Sequence, residues 1–195
     1  SMEVKEYIKY YDSIIPTKKL QNLLLWLNHA HEKGKFFDAK VGDGKGKTNK
    51  NIRDCLTYFF ATDGDSITAA HWTSYSKYLF NQALWVYNED TKLSPNSTEF
   101  LTHVSELSAI RYENNNFYKY HADDNQTSLR RLSGIYFPND DYEGGEVSFI
   151  DKKGEFLRIK PRQNRIVIFP SNFMFHHAVL PVQKGLRWTL VMWAN

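Results

Sequence analysis

Regularly spaced turns divide the second half of the chain into short apolar runs, and this pattern restricts the fold more than any other feature. From about Glu106 onward the turns are rich in asparagine, glycine and proline, as in Asn114-Asn115-Asn116 and Pro170-Ser171-Asn172. Short strands at such spacing are typical of antiparallel β-sandwiches and jelly rolls. The predicted strands are Leu107–Tyr112, Phe117–His121, Leu129–Phe137, Glu146–Ile150, Phe156–Ile159, Arg165–Phe169, Met174–Val179 and Leu186–Trp193.

The first half of the chain contains two segments with helical periodicity. Apolar residues recur at helical spacing across Thr17–His31 and again from about His71 to Val86, which predicts two helices with one apolar face each. Between them, Asn51–Phe60 is rich in β-branched and aromatic residues and predicts a strand. Helices that come first and strands that follow indicate an α+β or mainly β class, with helices supporting one sheet.

Length and composition are those of an ordinary globular protein. The chain has 195 residues, of which 42% are hydrophobic and 24% charged, so neither a fibre nor a disordered chain is indicated. The length suits one domain with a substantial core. We therefore expect a single domain over residues 1–195, with a helical part over about 1–100 and a jelly-roll core over about 101–195.

Charge and cysteine content limit the partners and the compartment. The net charge is only +3 and basic residues are mixed with acidic ones, so a nucleic-acid-binding surface is not indicated. Cys55 is the single cysteine; an intrachain disulfide is excluded, and a packed strand cysteine is a better interpretation than a catalytic one. No apolar run reaches membrane-spanning length. We predict a soluble, cytoplasmic protein that acts on a protein, peptide or small-molecule substrate.

His121 and Asp123 stand two residues apart, at or near the end of a predicted strand. Side chains at this spacing project from the same face of a strand, so an imidazole and a carboxylate can bind one metal ion from one side. Two histidines and one carboxylate on one face of an ion form the arrangement of non-haem Fe(II) oxygenases. A His-x-Asp pair alone is weak evidence, because it is common by chance.

A second segment, from His177 to Arg187, supplies a further histidine and a buried charge. Arg187 lies on a predicted strand that is otherwise apolar, and a charge inside such a strand is unfavourable unless it is paired. A guanidinium binds a carboxylate through two hydrogen bonds. A ligand with a carboxylate would therefore explain Arg187.

Together these motifs resemble the double-stranded β-helix core of the 2-oxoglutarate-dependent oxygenases. They are most similar to the prolyl 4-hydroxylase-like group, which includes the bacterial PKHD-type hydroxylases. The similarity extends from Arg111 to Trp193, in the family's order. It includes Arg111-Tyr112, Phe117, His121-Ala122-Asp123, Tyr142-Glu143-Gly144-Gly145-Glu146-Val147, Phe169-Pro170-Ser171, His177, Val179, Pro181-Val182, Gly185 and Arg187.

The resemblance implies a role for each matching position. His121, Asp123 and His177 would bind Fe(II), and Arg187 would pair with the distal carboxylate of 2-oxoglutarate. Tyr112 would lie beside this cosubstrate, with a core tyrosine as an equal alternative. The implied reaction converts 2-oxoglutarate and O2 to succinate and CO2 while it hydroxylates a substrate, in this group a peptidyl proline. The resemblance also implies ascorbate as a reductant.

Two positions need a choice between neighbours. His176 precedes His177, and because neighbours in a strand face opposite ways, only one of them can point inward; the spacing to Arg187 selects His177. Many members of the group have a tyrosine that contacts the cosubstrate where this chain has Phe137. Phe137 cannot donate that hydrogen bond, so we expect binding to depend more on Arg187, and Tyr136 to face the other side of the strand.

Other functions remain open at this point. The substrate could be another protein residue, a free amino acid or a small metabolite. A non-catalytic jelly-roll module would be expected to have a broken triad or no arginine, and a cupin-like metal enzyme to have more histidines. Substrate recognition is expected in the loops at 36–50, 61–68 and 124–127. Arg130, Arg131 and Arg165 could face an acidic substrate or be solvated charges.

Overall fold

In a computed structural model, the chain is mostly β with two α-helices. The structure describes residues 3–41, 46–92, 103–125 and 129–195. Parts of two predicted substrate loops, residues 42–45 and 126–127, lie outside the described residues. No helix in the described ranges is both long and apolar enough to cross a membrane.

The helices are α1 (Thr17–Glu32) and α2 (Ile67–Thr91), with short 3-10 helices at Val4–Tyr7 and Phe60–Thr62. The strands are β1 (Lys9–Tyr11), β2 (Phe37–Asp38), β3 (Arg53–Asp54), β4 (Leu56–Tyr58), β5 (Val104–Tyr112), β6 (Phe117–His121), β7 (Leu132–Phe137), β8 (Glu143–Gly144), β9 (Val147–Asp151), β10 (Gly154–Ile159), β11 (Arg165–Pro170), β12 (His176–Val179), β13 (Val182–Lys184) and β14 (Arg187–Ala194).

These strands form two main antiparallel sheets. The major sheet has seven strands in the order β1-β11-β7-β14-β5-β4-β2, and the minor sheet has five in the order β10-β9-β12-β6-β3. Strands β8 and β13 form a separate pair. Several neighbours in these sheets are distant in sequence, such as β1 and β11 or β7 and β14, as expected for the jelly roll that the turn pattern predicted.

Alternation along the strands of the major sheet separates two cores. On β11, Ile166 and Ile168 pack with the helices, whereas Val167 and Phe169 pack between the two sheets. Successive side chains of a strand point to opposite faces, so one sheet can serve both layers. On β14 the same alternation directs Arg187 away from the helical layer and toward the space between the sheets.

Most predicted elements are present, with shifted ends. The first predicted helix is confirmed as Thr17–Glu32. The second is longer than predicted, because it begins at Ile67, where the Ser66 side chain accepts a hydrogen bond from the amide of Ala69 and caps the helix.

The single strand predicted over Asn51–Phe60 was wrong. The chain forms β3 in the minor sheet and β4 in the major sheet, with Cys55 between them. Cys55 is buried, as predicted, but it lies at the crossing between two sheets and in neither strand. Strands from the N-terminal half thus contribute to both sheets; the single-domain assignment of residues 1–195 and the cytoplasmic location remain predictions.

Candidate metal and cosubstrate site

Strand pairing in the minor sheet brings the two histidines of the predicted triad together. His121 is the last residue of β6, and His177 lies on β12, which pairs with β6 so that the two histidines are directly opposite. Asp123 follows β6 by two residues and is buried. His121 Nε2 and His177 Nε2 lie 3.2 Å and 3.3 Å from Asp123 Oδ1. The three donor atoms therefore converge on one point between the sheets.

Each imidazole is held with Nε2 toward this point. The Nδ1 of His121 lies 2.7 Å from the carbonyl oxygen of Lys119, and the Nδ1 of His177 lies 2.9 Å from that of Phe175. A carbonyl only accepts hydrogen bonds, so each Nδ1 carries a proton and donates it. In neutral imidazoles this leaves a lone pair on both Nε2 atoms, as a metal ligand requires.

The second oxygen of Asp123 has different partners from the first. Oδ2 accepts a hydrogen bond of 2.6 Å from the Ser133 hydroxyl and one of 3.1 Å from the indole N–H of Trp193. The Ser133 hydroxyl also lies 2.8 Å from that of Ser171. Because the proton of Ser133 goes to the carboxylate, Ser171 donates to Ser133. Oδ2 is thus held by the protein, while Oδ1 faces the histidines.

Burial and mutual charge shift the ionisation of the triad. Burial, assisted by the nearby His177, lowers the pKa of His121. Burial would also lower the pKa of His177, but the carboxylate of Asp123 outweighs it and raises that pKa. Burial works against an ionised Asp123 as well, yet the two imidazoles hold its pKa well below the usual range. A carboxylate that is ionised when buried is available as a ligand.

The donor set therefore fits a divalent transition-metal ion. One carboxylate oxygen and two imidazole nitrogens converge from one side, and the ion would supply the positive charge that the buried Asp123 faces. This combination suits Fe(II) and leaves positions open on the opposite side.

Arg187 is fully buried between the sheets. It is in register with Tyr112 on β5; its guanidinium carbon lies 4.8 Å from the ring centre of Tyr112 and 5.3 Å from that of Phe137. Within the described ranges, neither Nε nor either terminal nitrogen has a hydrogen-bond partner. A buried charge without a partner is strongly unfavourable, so the site fits a ligand that brings a carboxylate.

A cavity of about 600 Å³ extends from the triad to the surface. Tyr118 lines it and stacks on the His121 ring, with ring centres 3.7 Å apart. Arg53 covers the other face of Tyr118 at 4.5 Å. On the opposite wall, Arg130 lies 3.9 Å above the Trp193 ring. The cavity is therefore walled by aromatic rings that guanidinium groups hold in place.

The comparison with protein families agrees with this geometry. Residues 107–195 match the family model described as the 2OG-Fe(II) oxygenase superfamily. They contain the triad, Arg187 and Tyr112, and the cofactors of the superfamily are Fe(II), 2-oxoglutarate and O2.

Relatives of the oxygenase segment include prolyl hydroxylases. Human prolyl 3-hydroxylase 2 is 37% identical over 68 residues, which are 34% of this chain and 10% of that protein. Human prolyl 3-hydroxylase 3 is 35% identical over 68 residues, 34% of this chain and 9% of that protein. The chain thus spans about a tenth of the length of these curated relatives.

Solved structures share the fold over almost the whole chain. A prolyl-4-hydroxylase from Pseudomonas putida superposes with a TM-score of 0.70 at 16% identity, covering 97% of this chain and 92% of that one. A prolyl hydroxylase from Trichoplax adhaerens, solved with a peptide fragment of the oxygen degradation domain of hypoxia inducible factor, gives 0.75 at 15% identity, covering 97% and 83%. At these identities the likeness establishes the jelly-roll fold alone.

The structure also shows where the two residues next to His177 and Phe137 lie. His176 is only half-buried, and its Nδ1 lies 2.6 Å from the carbonyl oxygen of Phe173, away from the triad. The Tyr136 hydroxyl donates to Asn164 and its ring packs in the helical layer, while Phe137 packs between the sheets.

Two of the three arginines considered for an acidic substrate have partners in the chain. Arg165 forms a two-bond pair with Asp12, and Arg130 forms one with Glu106. Arg131 is exposed. The first two are therefore not solvated charges.

Ser133, Ser171, Trp193, Tyr118 and Tyr142 are site residues that the sequence did not reveal. Ser133 and Trp193 were read only as members of strands, because nothing in their spacing indicates a hydrogen bond to Asp123. Tyr142 was part of the family motif without a role. Its hydroxyl is buried and has no hydrogen-bond partner in the described part of the chain.

Proposed function

We propose that this chain is an Fe(II)- and 2-oxoglutarate-dependent dioxygenase that hydroxylates a prolyl residue of a peptide. The proposal rests on two groups of side chains that lie between the same sheets, each of which lacks a ligand. One is a convergent triad of metal-binding atoms, and the other is the unpartnered guanidinium of Arg187. Fe(II) would complete the first, and a carboxylate of the cosubstrate would complete the second.

In this proposal His121 Nε2, Asp123 Oδ1 and His177 Nε2 hold Fe(II). Arg187 pairs with the distal carboxylate of 2-oxoglutarate, and Tyr112, whose ring lies against the guanidinium, fixes its position. When bound, iron and cosubstrate supply the oxidising chemistry, which converts 2-oxoglutarate and O2 to succinate and CO2 and hydroxylates the substrate.

The chain's own residues orient the metal ligands. Lys119 and Phe175 fix the imidazole tautomers through their carbonyl groups. Ser133 and Trp193 hold Asp123 by its second oxygen, so the first remains directed at the ion. Ligands fixed in this way do not have to be ordered when the reaction begins.

A peptide substrate is supported by the shape of the cavity and by the relatives. Tyr118 and Trp193 line the cavity beside the triad, and the carbon edges of these rings suit contact with an apolar ring such as that of proline. The curated relatives are prolyl 3-hydroxylases and the structural neighbours include prolyl 4-hydroxylases, so the hydroxylated ring carbon must be determined from the product. Ascorbate as a reductant and the oligomeric state stay open to experiment.

The test is turnover with a library of proline-containing peptides, each paired with the same peptide carrying alanine in place of proline. Fe(II), 2-oxoglutarate and O2 are supplied, with and without ascorbate. We expect succinate release and a mass gain of one oxygen atom on proline peptides only; amino-acid analysis then separates 3- from 4-hydroxyproline.

Asp123→Ala is the matched negative control, because it removes the carboxylate ligand and should abolish both signals. Hydroxylation confined to non-proline substrates would overturn the substrate while leaving the site intact. No iron-dependent succinate release under any condition would overturn the enzyme itself and favour a binding module.

A further inference from the structure

Tyr142 lies beside Arg187, and a Cβ at Gly145 would contact both side chains. It follows β7 in the connection to β8, and its ring packs against the core between the sheets. The buried hydroxyl of Tyr142 and all three guanidinium nitrogens of Arg187 lack hydrogen-bond partners within the residues described. Buried polar groups are nearly always bonded in proteins, so two adjacent unbonded groups indicate a missing ligand common to both.

Two glycines allow the backbone to approach Tyr142 closely. A Cβ added at Gly145 would lie 2.9 Å from Cδ of Arg187 and 3.1 Å from Cε2 of Tyr142. A Cβ added at Gly185 would lie 3.0 Å from Cβ of Tyr142. Both glycines also have positive φ, of 69° and 87°, a backbone conformation that other residues rarely adopt. The backbone therefore closes around Tyr142, whose hydroxyl lies near enough to Arg187 for the guanidinium to act on its pKa.

Phe137, which also lies near Arg187, cannot fill the same role. Phe137 lies 5.3 Å from the guanidinium carbon and is fully buried, but it has no hydrogen-bonding group. Tyr136, next to it, directs its hydroxyl to Asn164 at 2.9 Å in the helical layer. Tyr142 thus has a hydroxyl beside Arg187 that makes no hydrogen bond to any residue in the described ranges.

We propose that the Tyr142 hydroxyl is a second binding group for the distal carboxylate of 2-oxoglutarate, to which it donates a hydrogen bond alongside Arg187. This inference rests on the proposed function. A carboxylate has two oxygens, each of which accepts more than one hydrogen bond, so it can satisfy the guanidinium and the phenol together. Burial keeps the phenol protonated, since it raises the pKa of Tyr142 to about 12 even though the nearby Arg187 acts in the opposite direction.

The experiment measures binding of 2-oxoglutarate by calorimetry to protein loaded with Mn(II), without substrate or turnover. The variants are Tyr142→Phe and, as a matched control, Tyr136→Phe, which removes a hydroxyl that donates to Asn164 in the helical layer. The second ligand is 2-oxopentanoate, which keeps the 2-oxo acid but lacks the distal carboxylate. Mn(II) affinity and the melting temperature are recorded for each variant.

We expect Tyr142→Phe to bind 2-oxoglutarate roughly tenfold more weakly, as for the loss of one hydrogen bond to a charged group. Binding of 2-oxopentanoate and of Mn(II) should be unchanged, and Tyr136→Phe should bind both 2-oxo acids as the unaltered chain does. Unaltered affinity of Tyr142→Phe for 2-oxoglutarate would overturn the inference, as would an equal loss for both 2-oxo acids, because the hydroxyl would then not act on the distal carboxylate. If the unaltered chain binds no 2-oxoglutarate at all, the proposed function fails first.

Discussion

Two buried arginines on strands of the major sheet have opposite surroundings. Arg165 on β11 donates two hydrogen bonds to Asp12, of 2.7 Å and 3.1 Å, and one of 3.2 Å to the carbonyl of Lys160. Arg187 on β14 is more deeply buried and has no such bond from any described residue. The chain thus neutralises one arginine itself and leaves the other to be neutralised from outside. Burial of a charge becomes informative about function only when its partner is absent.

The largest effect is expected on 2-oxoglutarate binding when Arg187 itself is replaced. In Arg187→Met, the cosubstrate loses its charged partner while the core keeps an apolar side chain of similar length. Loss of a two-bond ion pair should weaken 2-oxoglutarate binding by roughly a hundredfold or more. The melting temperature without ligand should not fall, because apolar groups can replace buried charges without loss of stability. Calorimetry measures the affinity for 2-oxoglutarate, and thermal unfolding measures the melting temperature. Unchanged 2-oxoglutarate affinity would refute the role of Arg187 in cosubstrate binding.

Arg165→Met should give the reverse result. It leaves the Asp12 carboxylate without its main partner, so the free energy of unfolding should fall by about 1–3 kcal/mol, less than for a fully buried pair because Asp12 is partly exposed. Binding of 2-oxoglutarate should be unaffected. Urea unfolding measures the first and calorimetry the second. A variant as stable as the unaltered chain would show that the Asp12 pair contributes little, and the contrast with Arg187 would lose its energetic basis.

Gly145→Ala tests how closely the backbone encloses Arg187. The added Cβ would be 2.9 Å from Cδ of Arg187 at a backbone φ of 69°, so the guanidinium or the turn must move. We expect roughly tenfold weaker 2-oxoglutarate binding with little change in Mn(II) affinity. Gly64→Ala is the control, because its Cβ would meet nothing within 4 Å. Equal effects of the two substitutions would contradict a specific role for Gly145.

The smallest effect concerns pH. The hydrogen bond from Arg165 holds the pKa of Asp12 below its ordinary value, so the pair contributes stability above the unfolded pKa, about 3.9, and loses it as pH falls through the folded value. The difference in melting temperature between the unaltered chain and Arg165→Met should therefore shrink below about pH 4. The corresponding difference for Arg187→Met, without ligand, should show no such change tied to an acidic partner. A constant Arg165→Met difference down to pH 2 would argue against the pair.

The sequence predicts the long strands well because their periodicity is local. Phe117–His121 has the predicted bounds, and β11 differs by one residue. Strands β1, β2, β8 and β13 are two or three residues long and are defined by their pairing partners, which periodicity cannot reveal. For the same reason β3 and β4 were merged into one strand.

The residues of the candidate site also differ in how well the sequence predicts them. His121 and Asp123 are two residues apart in sequence, and the segment around His177 and Arg187 has a characteristic spacing, so all four could be proposed from the chain alone. Ser133 and Tyr142 could not, because a serine hydroxyl or a phenol acquires its role only from groups that folding brings within hydrogen-bond distance. Metal ligands can be recognised from their spacing in the sequence, whereas the residues that orient them are brought to the site only by tertiary folding.

The crossing at Cys55 has a mechanical consequence for the cavity. A single residue separates β3 in the minor sheet from β4 in the major sheet, and one residue spans at most about 3.6 Å. At this edge the two sheets are therefore tied by a link that cannot stretch, and Arg53 and Thr57, on either side of the link, both line the cavity. Any widening of the cavity to admit a bulky chain must then leave the two sheets in place at this corner.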